Sequence, residues 1–396
     1  MKIAWYVSQL IESGGGEKFL FEITNELSKQ GHEVIILCDV FDDNCTFSNK
    51  YKVNNVHQLD LRYTKNPSYI KKAYEKFKGL FSLFSVLKSE KPDLLICQSE
   101  YDSIRLFIIH VLLKIPYRLF IFGQMFQFEE DLSKYSFTFK RHLKAIIENQ
   151  PDYQNALGKK PGLSSPLTFL VNEIISILKY YSVRKSEKVF VLSNQVKWEV
   201  SLLYNKVSDV LRGAISFHDI DKKQIRLSNH LNSKLKILSI SRLEKKKRVD
   251  ILIQAFLKSD MDGELTIIGE GGEKKNLQSL VSKSDQSNKV RFLGRVSDPE
   301  KDKAIKNCDI FVSLDNSDFV ITAIEALAKG KLVLVSEHFD LTSFDGNIAG
   351  LRQVKPDIDS VQSEIQNLST IGIDKSNNLK ILETLTWEYV SKEVLR

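Results

Sequence analysis

Residues Asn316–Gly330, NSDFVITAIEALAKG, followed directly by KLVLVSEHF (331–339), decide how this chain is read. The stretch reads as a loop, a helix with one polar face, and a buried strand. On a helical wheel with Asp318 at 0°, Thr322 falls at about 40°, Glu325 at about 340° and Lys329 at about 20°. Val320, Ala323, Ile324 and Leu327 gather on the opposite side. Two readings fit the polar stripe. Either Glu325 and Lys329 form an ordinary i,i+4 surface pair contributing about 0.3–0.5 kcal/mol, or the stripe holds a ligand.

Working outward, short apolar runs alternate with amphipathic helical ones almost throughout. KIAWYVS, HEVIILC, DLLIC, YRLFIF, KVFVLS and SDVLR read as strands in the first half, and KILSIS, LTIIG, VRFLG, DIFVSL and KLVLVS in the second. Runs apolar on both faces and spaced by helices mark buried parallel sheets in βαβ units. A chain of 396 residues with 42% hydrophobic content is too long for one ordinary core. The expected class is therefore α/β, with two Rossmann-like doubly wound parallel-sheet domains facing across a cleft. The polar, aperiodic stretch between Arg212 and Lys236 sets the boundary. Residues 1–212 form the first domain, 213–384 the second, and 385–396 a terminal helix packing back on the first. Ligands of such sheets bind beyond the carboxyl ends of the strands.

Composition excludes several classes. The N-terminus, MKIAWYVSQLIESGGGE, turns polar after one strand's length and lacks a secretory apolar region. No apolar run approaches the ~20 residues of a spanning helix. Cys38, Cys45, Cys97 and Cys308 show no CxxC or Cys/His spacing, so buried reduced thiols in a cytoplasmic protein are expected, with no disulfide and no zinc. Residues 51–250 hold 35 Lys+Arg against 19 Asp+Glu, an excess of +16 inside a net charge of +7. That middle favours anionic surroundings. Nucleic acid is disfavoured because no recognition motif accompanies the charge.

Several signals sit just after strands. Ser13-Gly14-Gly15-Gly16-Glu17 opens a helix running to about Gln30, and is either a flexible turn or a loop that lets an anion meet the helix N-terminus. Arg242 and Lys247, in SISRLEKKKRVDILIQAF, combine a bidentate guanidinium with a mobile ammonium, a pair suited to a diphosphate. The alternative is a solvated basic run, Lys245–Arg248, though Arg242 directly follows an apolar strand. Gly269 and Gly271 in IIGEGGE, and Gly294 in RFLGR, end two further strands where backbone can approach a planar or phosphorylated ligand.

Taken together, SRLEKKKRVDILIQA, IIGEGGE, RFLGRV, CDIFVSL and NSDFVITAIEALAKG resemble, in order and spacing, the C-terminal domain of a family 4 glycosyltransferase with the GT-B fold. The match extends from the GGGE loop to Trp387. The resemblance implies a retaining, metal-independent hexosyltransferase without cofactor. Its donor would be a nucleotide diphosphate-sugar, UDP- or GDP-linked, and its acceptor a glycan or lipid-linked saccharide in surface polysaccharide or glycoconjugate synthesis. It places Arg242 and Lys247 on the donor diphosphate and Glu325 on the ribose hydroxyls. The backbone at Phe319, Val320 and Ile321, beside Asp318 and Thr322, would face phosphates and sugar. Gly294, Arg295 and Val296 would form the base slot, and Gly15 and Gly16 the loop closing on the donor.

The chain also departs from the family. Ser317 stands where the first motif glutamate is usual, leaving Asp315, Asp318 or neither to hold the donor sugar. Phe122, with Gln124 the nearest polar group, and Gln98 stand where the family often has histidines on the acceptor side; Phe126, Phe128, Tyr135, Phe137 and Phe139 beyond them line an acceptor groove or the core. A mechanism using the leaving phosphate as base tolerates those losses. They also leave open a non-catalytic GT-B partner subunit of another transferase, and a GT-B sugar-nucleotide epimerase. Residues 69–88, with Ile70, Tyr74, Phe77, Phe81 and Phe84 on one face and Lys71, Lys72, Lys76 and Lys78 elsewhere, form either a core-facing helix or a peripheral contact with the cytoplasmic face of an acidic membrane.

Overall fold

The computed structural model describes residues 1–11, 14–42, 56–59, 69–123, 166–216, 220–226, 234–259, 261–317, 319–344, 348–370 and 378–396. It divides into two units, Met1–Arg212 with Val390–Arg396, and Gly213–Tyr389.

In the first unit, β1 (Lys2–Leu10), β2 (Glu33–Phe41), β3 (Val56–Gln58), β4 (Leu94–Cys97), β5 (Tyr117–Ile121), β6 (Lys188–Val191) and β7 (Asp209–Val210) form one parallel sheet in the order β3-β2-β1-β4-β5-β6-β7. Alternate side chains enter opposite layers. Trp5 stacks on Phe120 at 5.6 Å, and Phe19 meets Phe120 edge-on at 5.0 Å. Phe19 comes from the helix Gly15–Lys29, which buries Phe19, Leu20, Ile23 and Leu27 at helical spacing. Tyr6, Leu37, Leu95 and Leu119 belong to a buried cluster with Leu83, Leu87, Leu106 and Val183, from the helices Tyr69–Glu90, Glu100–Leu113 and Pro166–Lys185. Val390–Arg396 belongs to this unit: the Arg118 guanidinium donates to the Val394 carbonyl, and Gln30 Nε2 donates to Ser391 Oγ at 2.7 Å.

The second unit repeats the plan. β8 (Leu235–Ile240), β9 (Gly263–Ile268), β10 (Val290–Gly294), β11 (Ile310–Ser313), β12 (Leu332–Ser336) and β13 (Leu351–Val354) run parallel in the order β10-β9-β8-β11-β12-β13. Ile237, Leu265, Ile310, Leu332 and Leu334 pack with Leu252, Ile253 and Phe256 of the helix Val249–Lys258 and with Val361, Ile365 and Leu368 of Ile358–Thr370. Each strand order reverses once, between β1 and β4 and between β8 and β11. Those reversals are the topological switch points, where open α/β sheets leave a crevice at their carboxyl edge.

One expectation changes. The helix Tyr69–Glu90 packs through Leu83 and Leu87, both fully buried, with Leu80 and Phe84 partly buried beside them, whereas Phe81 is 67% exposed. Leu80, Leu83, Phe84 and Leu87 form an i, i+3, i+4, i+7 stripe that competes with the aromatic one, and it is the aliphatic stripe that is covered. The side chains of Ile70, Tyr74 and Phe77 lie outside the described residues. Cys38, Cys97 and Cys308 are buried free thiols, and burial pushes Cys38 and Cys308 up to about 12. Cys45 lies outside the described residues, as do Ser13 and residues 124–165. No helix among the described residues is long and apolar enough to cross a membrane.

Candidate active site

The second unit's switch point is flanked by the loops that follow β8 and β11. The first loop carries Arg242, whose side chain is 53% exposed and lies 3.2 Å from Glu244. It then turns through a short 3-10 segment, Lys245–Lys247, closed by Arg248 in the left-handed conformation (φ 51°) before the helix Val249–Lys258 begins. That turn aims Lys247 inward, where its ammonium donates to Asp315 Oδ2. Asp315 follows β11, and its Oδ1 accepts the Ser317 N–H. One carboxylate thus ties the two loops together. In the second loop, Ser317 Oγ donates to the Phe319 carbonyl at 2.8 Å. Asn316 Oδ1 is buried there and has no hydrogen-bond partner among the described residues.

The glycines support this arrangement from below. Gly269 has φ +136°, and a Cβ there would lie 1.8 Å from the Ser241 carbonyl oxygen; one at Gly271 would lie 2.3 Å from the Leu243 oxygen. Both therefore make room for the backbone on either side of Arg242. The contact is hydrogen-bonded, with Ser241 N–H donating to Ile268 O at 3.1 Å and Leu243 N–H to Glu270 O at 2.8 Å. Gly294, at φ +68°, accepts the Gly269 N–H at 2.9 Å. Arg295 beyond it is exposed and Val296 half-buried.

The helix of the opening stretch spans Ile321–Ala328, and its N-cap, Val320, supplies no side-chain cap. Its first N–H groups are of the kind that meet anions. The Phe319 ring is buried and stacks on Phe339 at 6.0 Å, leaving its backbone rather than its side chain for a ligand. Ile321 and Thr322 are half-buried, and Asp318 lies outside the described residues. The polar stripe is not a wet surface, and among the described residues Glu325 and Lys329 meet other partners than each other. Glu325 is 7% and Lys329 6% exposed. Each is met by the neighbouring helix, Asp298–Asn307: Lys301 Nζ lies 3.2 Å from Glu325 Oε1 and 3.0 Å from Oε2, and Lys329 Nζ lies 2.6 Å from Asp302 Oδ1. Burial opposes ionisation of Asp302, but hydrogen bonds from Lys306 and Lys329 hold its carboxyl below the ordinary range. Sequence reading missed Lys301 altogether, since nothing local links positions 24 apart.

At the first unit's switch point, Gly15 and Gly16 open the helix that follows β1, and Gln98 directly follows β4. The Gly14 N–H donates to Glu17 at 3.0 Å, while a Cβ on Gly16 would meet nothing within 4 Å among the described residues. Gln98 Nε2 is buried and has no hydrogen-bond partner among the described residues. Phe122 is held in an aromatic group, 4.8 Å from Phe19 and 5.7 Å from Phe120. Gln124 lies outside the described residues. A charged cluster that sequence reading did not single out lies nearby. Arg105 donates to Asp39 Oδ2 at 2.6 Å, and Tyr6 donates to Asp39 Oδ1 at 3.1 Å. Asp102 accepts from Ser8 N–H at 3.4 Å, and burial pushes its carboxyl up to about 6 against hydrogen bonds from Ser99 and Ser8. Among the described residues no group of three or more His, Cys, Asp or Glu is placed to hold a metal ion.

Comparison with known families adds the deciding observation. Residues 13–154 match the model of Glycosyltransferase Family 4, and residues 221–344 match that of Glycosyl transferases group 1. The chain belongs to the family 4 glycosyltransferases. Among curated members it is similar to the amylovoran biosynthesis glycosyltransferase AmsK of Erwinia amylovora, 28% identical over 38% of this chain and 39% of that one. It is also similar to a Campylobacter jejuni diphospho-undecaprenol 4-alpha-N-acetylgalactosaminyltransferase, 32% identical over 34% of this chain and 36% of the other. The matched stretch thus spans little more than a third of those relatives. Solved structures share the fold along the whole chain. Anabaena HepE in complex with UDP superposes with a TM-score of 0.70 at 14% identity, covering 100% of this chain and 98% of that one. The apo lipopolysaccharide galactosyltransferase WaaB does so with 0.66 at 15%, with the same coverage. As a family 4 glycosyltransferase, the chain carries the GT-B architecture, with its two loop pairs at the switch points of two Rossmann-like units.

Proposed function

We propose that this protein is a retaining glycosyltransferase, active without a metal, that moves a sugar from a nucleoside diphosphate to a glycan or lipid-linked acceptor. One observation carries the reading: Arg242, Lys247 and the start of the helix Ile321–Ala328 all lie on the loops that follow β8 and β11, the strands of one switch point. Cations and helix N–H groups on those loops suit a diphosphate. In the reaction, the bond between the sugar's anomeric carbon and the diphosphate oxygen breaks. The acceptor oxygen bonds to the same face of that carbon, and its proton passes to the departing phosphate. Arg242 and Lys247 stabilise the charge that develops on the leaving group. Glu325 accepts hydrogen bonds from the ribose hydroxyls, and Gly294, Arg295 and Val296 border the base. HepE holds UDP, so UDP is the first nucleotide to test, with GDP second. Amylovoran biosynthesis in the name of AmsK and the diphospho-undecaprenol substrate in that of the Campylobacter enzyme support a glycan or lipid-linked acceptor.

Ser317 in place of a motif glutamate favours a second reading, a non-catalytic GT-B partner of another transferase. Titrating the purified protein with UDP, GDP and ADP separates the two. Saturable binding of one diphosphate, with slow hydrolysis of the matching sugar nucleotide, supports the enzyme. Absence of binding to all three rejects it.

A further inference from the structure

We propose that Lys301 is a positioning residue that aims Glu325 at the donor's ribose, so that the helix Asp298–Asn307 sets how sharply the site separates ribonucleotides from 2′-deoxyribonucleotides. The inference rests on the donor-site reading above and goes beyond it, because Lys301 belongs to none of the segments assigned to the donor.

Lys301 reaches both oxygens of Glu325, at 3.2 and 3.0 Å. The side chains are 22% and 9% exposed, so the pair is largely shielded from water. A carboxylate gripped at both oxygens by one ammonium cannot rotate about its last torsion without losing a contact. A carboxylate held in this way is a fixed acceptor, the kind of group that the vicinal 2′- and 3′-hydroxyls of a ribose meet. A second, oppositely signed pair fixes the register of the two helices: Lys329 Nζ on the Glu325 helix lies 2.6 Å from Asp302 Oδ1, beside Lys301. Sliding either helix by one turn would bring like charges together. The Lys301 helix is itself anchored at its start, where Ser297 N–H and Oγ donate to Glu300 at 2.8 and 2.7 Å. That start follows Gly294–Val296 directly, so base slot and ribose carboxylate are joined through one short helix.

Isothermal titration of UDP and 2′-deoxy-UDP, or of GDP and 2′-deoxy-GDP where UDP does not bind, tests the assignment in wild type and in Lys301→Met, Lys301→Arg and Glu325→Gln. The wild type is expected to prefer the ribonucleotide by on the order of 10-fold, the worth of about one charge-assisted hydrogen bond. Lys301→Met should narrow that ratio to about 2-fold while both nucleotides still bind, and Lys301→Arg should restore most of it. If Lys301→Met fails to fold, Lys301→Gln carries the same comparison. An unchanged ratio in whichever of these folds overturns the proposal. An unchanged ratio in Glu325→Gln overturns the ribose assignment itself, whatever Lys301 does.

Discussion

The Asp315 carboxylate is shared between Lys247, whose ammonium donates to one oxygen, and the Ser317 N–H, which donates to the other. The pair is largely buried, with Lys247 and Asp315 side chains 18% and 10% exposed. Asp315 therefore acts on Lys247 and on the loop that replaces the usual motif glutamate. Asp315→Asn keeps an acceptor for Ser317 but leaves Lys247 without a counter-charge. Losing one partner of such a pair should cost about 2 kcal/mol, less than for a fully buried one. The melting temperature should fall by several degrees. UDP should then stabilise the variant more than it stabilises the wild type, because the diphosphate supplies the missing anion. Equal thermal shifts in the two proteins would count against this coupling.

Arg242 and Lys247 lie on one loop but have different surroundings, an exposed guanidinium and a shielded ammonium. If both stabilise the leaving diphosphate, Arg242→Ala combined with Lys247→Ala should lower kcat by on the order of 10³-fold or more. Near-normal turnover in the double variant would sink the diphosphate assignment.

The strand sequences and the two-unit plan were legible because buried parallel strands read as continuous apolar runs. The two strands that escaped, β3 and β13, are the outer edges of their sheets, where VHQ and LRQV carry little apolar signal. Placement of Arg242, Lys247 and Gln98 just after strands followed from topology alone. The charge partners did not. Glu325 and Lys329 sit one turn apart, so local geometry allowed a pair between them as one of two readings, whereas the packing of another helix gave each a different partner. The glycines after β9 pointed to a close approach, and the approaching backbone is that of Ser241–Leu243 rather than a ligand.

Gly16 and Gly269 should respond in opposite ways to alanine. At Gly269 a methyl would collide with the Ser241 carbonyl at a φ of +136°, so Gly269→Ala should cost about 3 kcal/mol or more and displace the Arg242 loop. At Gly16, inside a helix, a Cβ meets nothing within 4 Å among the described residues. Gly16→Ala should leave stability unchanged or raise it by about 0.5–1 kcal/mol. If that open space admits the donor, activity should still drop about tenfold or more, a loss of at least ~1.4 kcal/mol in transition-state binding. Urea unfolding alongside steady-state kinetics reads both effects. A stable and fully active Gly16→Ala would remove this glycine from the site.

Asp102 gives the first unit a pH dependence of definite sign. Burial raises its carboxyl from 3.8 to about 6, so the folded protein holds this proton more tightly than the unfolded chain. The associated stability is fully present below about pH 4 and is lost as pH rises through about 6. Above that, the buried carboxylate, 8% exposed, costs roughly 3 kcal/mol relative to its unfolded state. Asp102→Asn cannot ionise and should escape this cost. The variant's advantage over wild type in urea midpoint should therefore be small near pH 4, reach about half by pH 5 and its full value by about pH 7, with Arg105, Asp39 and Tyr6 left in place. A difference between the two proteins that stays constant from pH 5 to pH 8 would show that Asp102 is already ionised at the lower end, and that the Arg105 guanidinium offsets its burial.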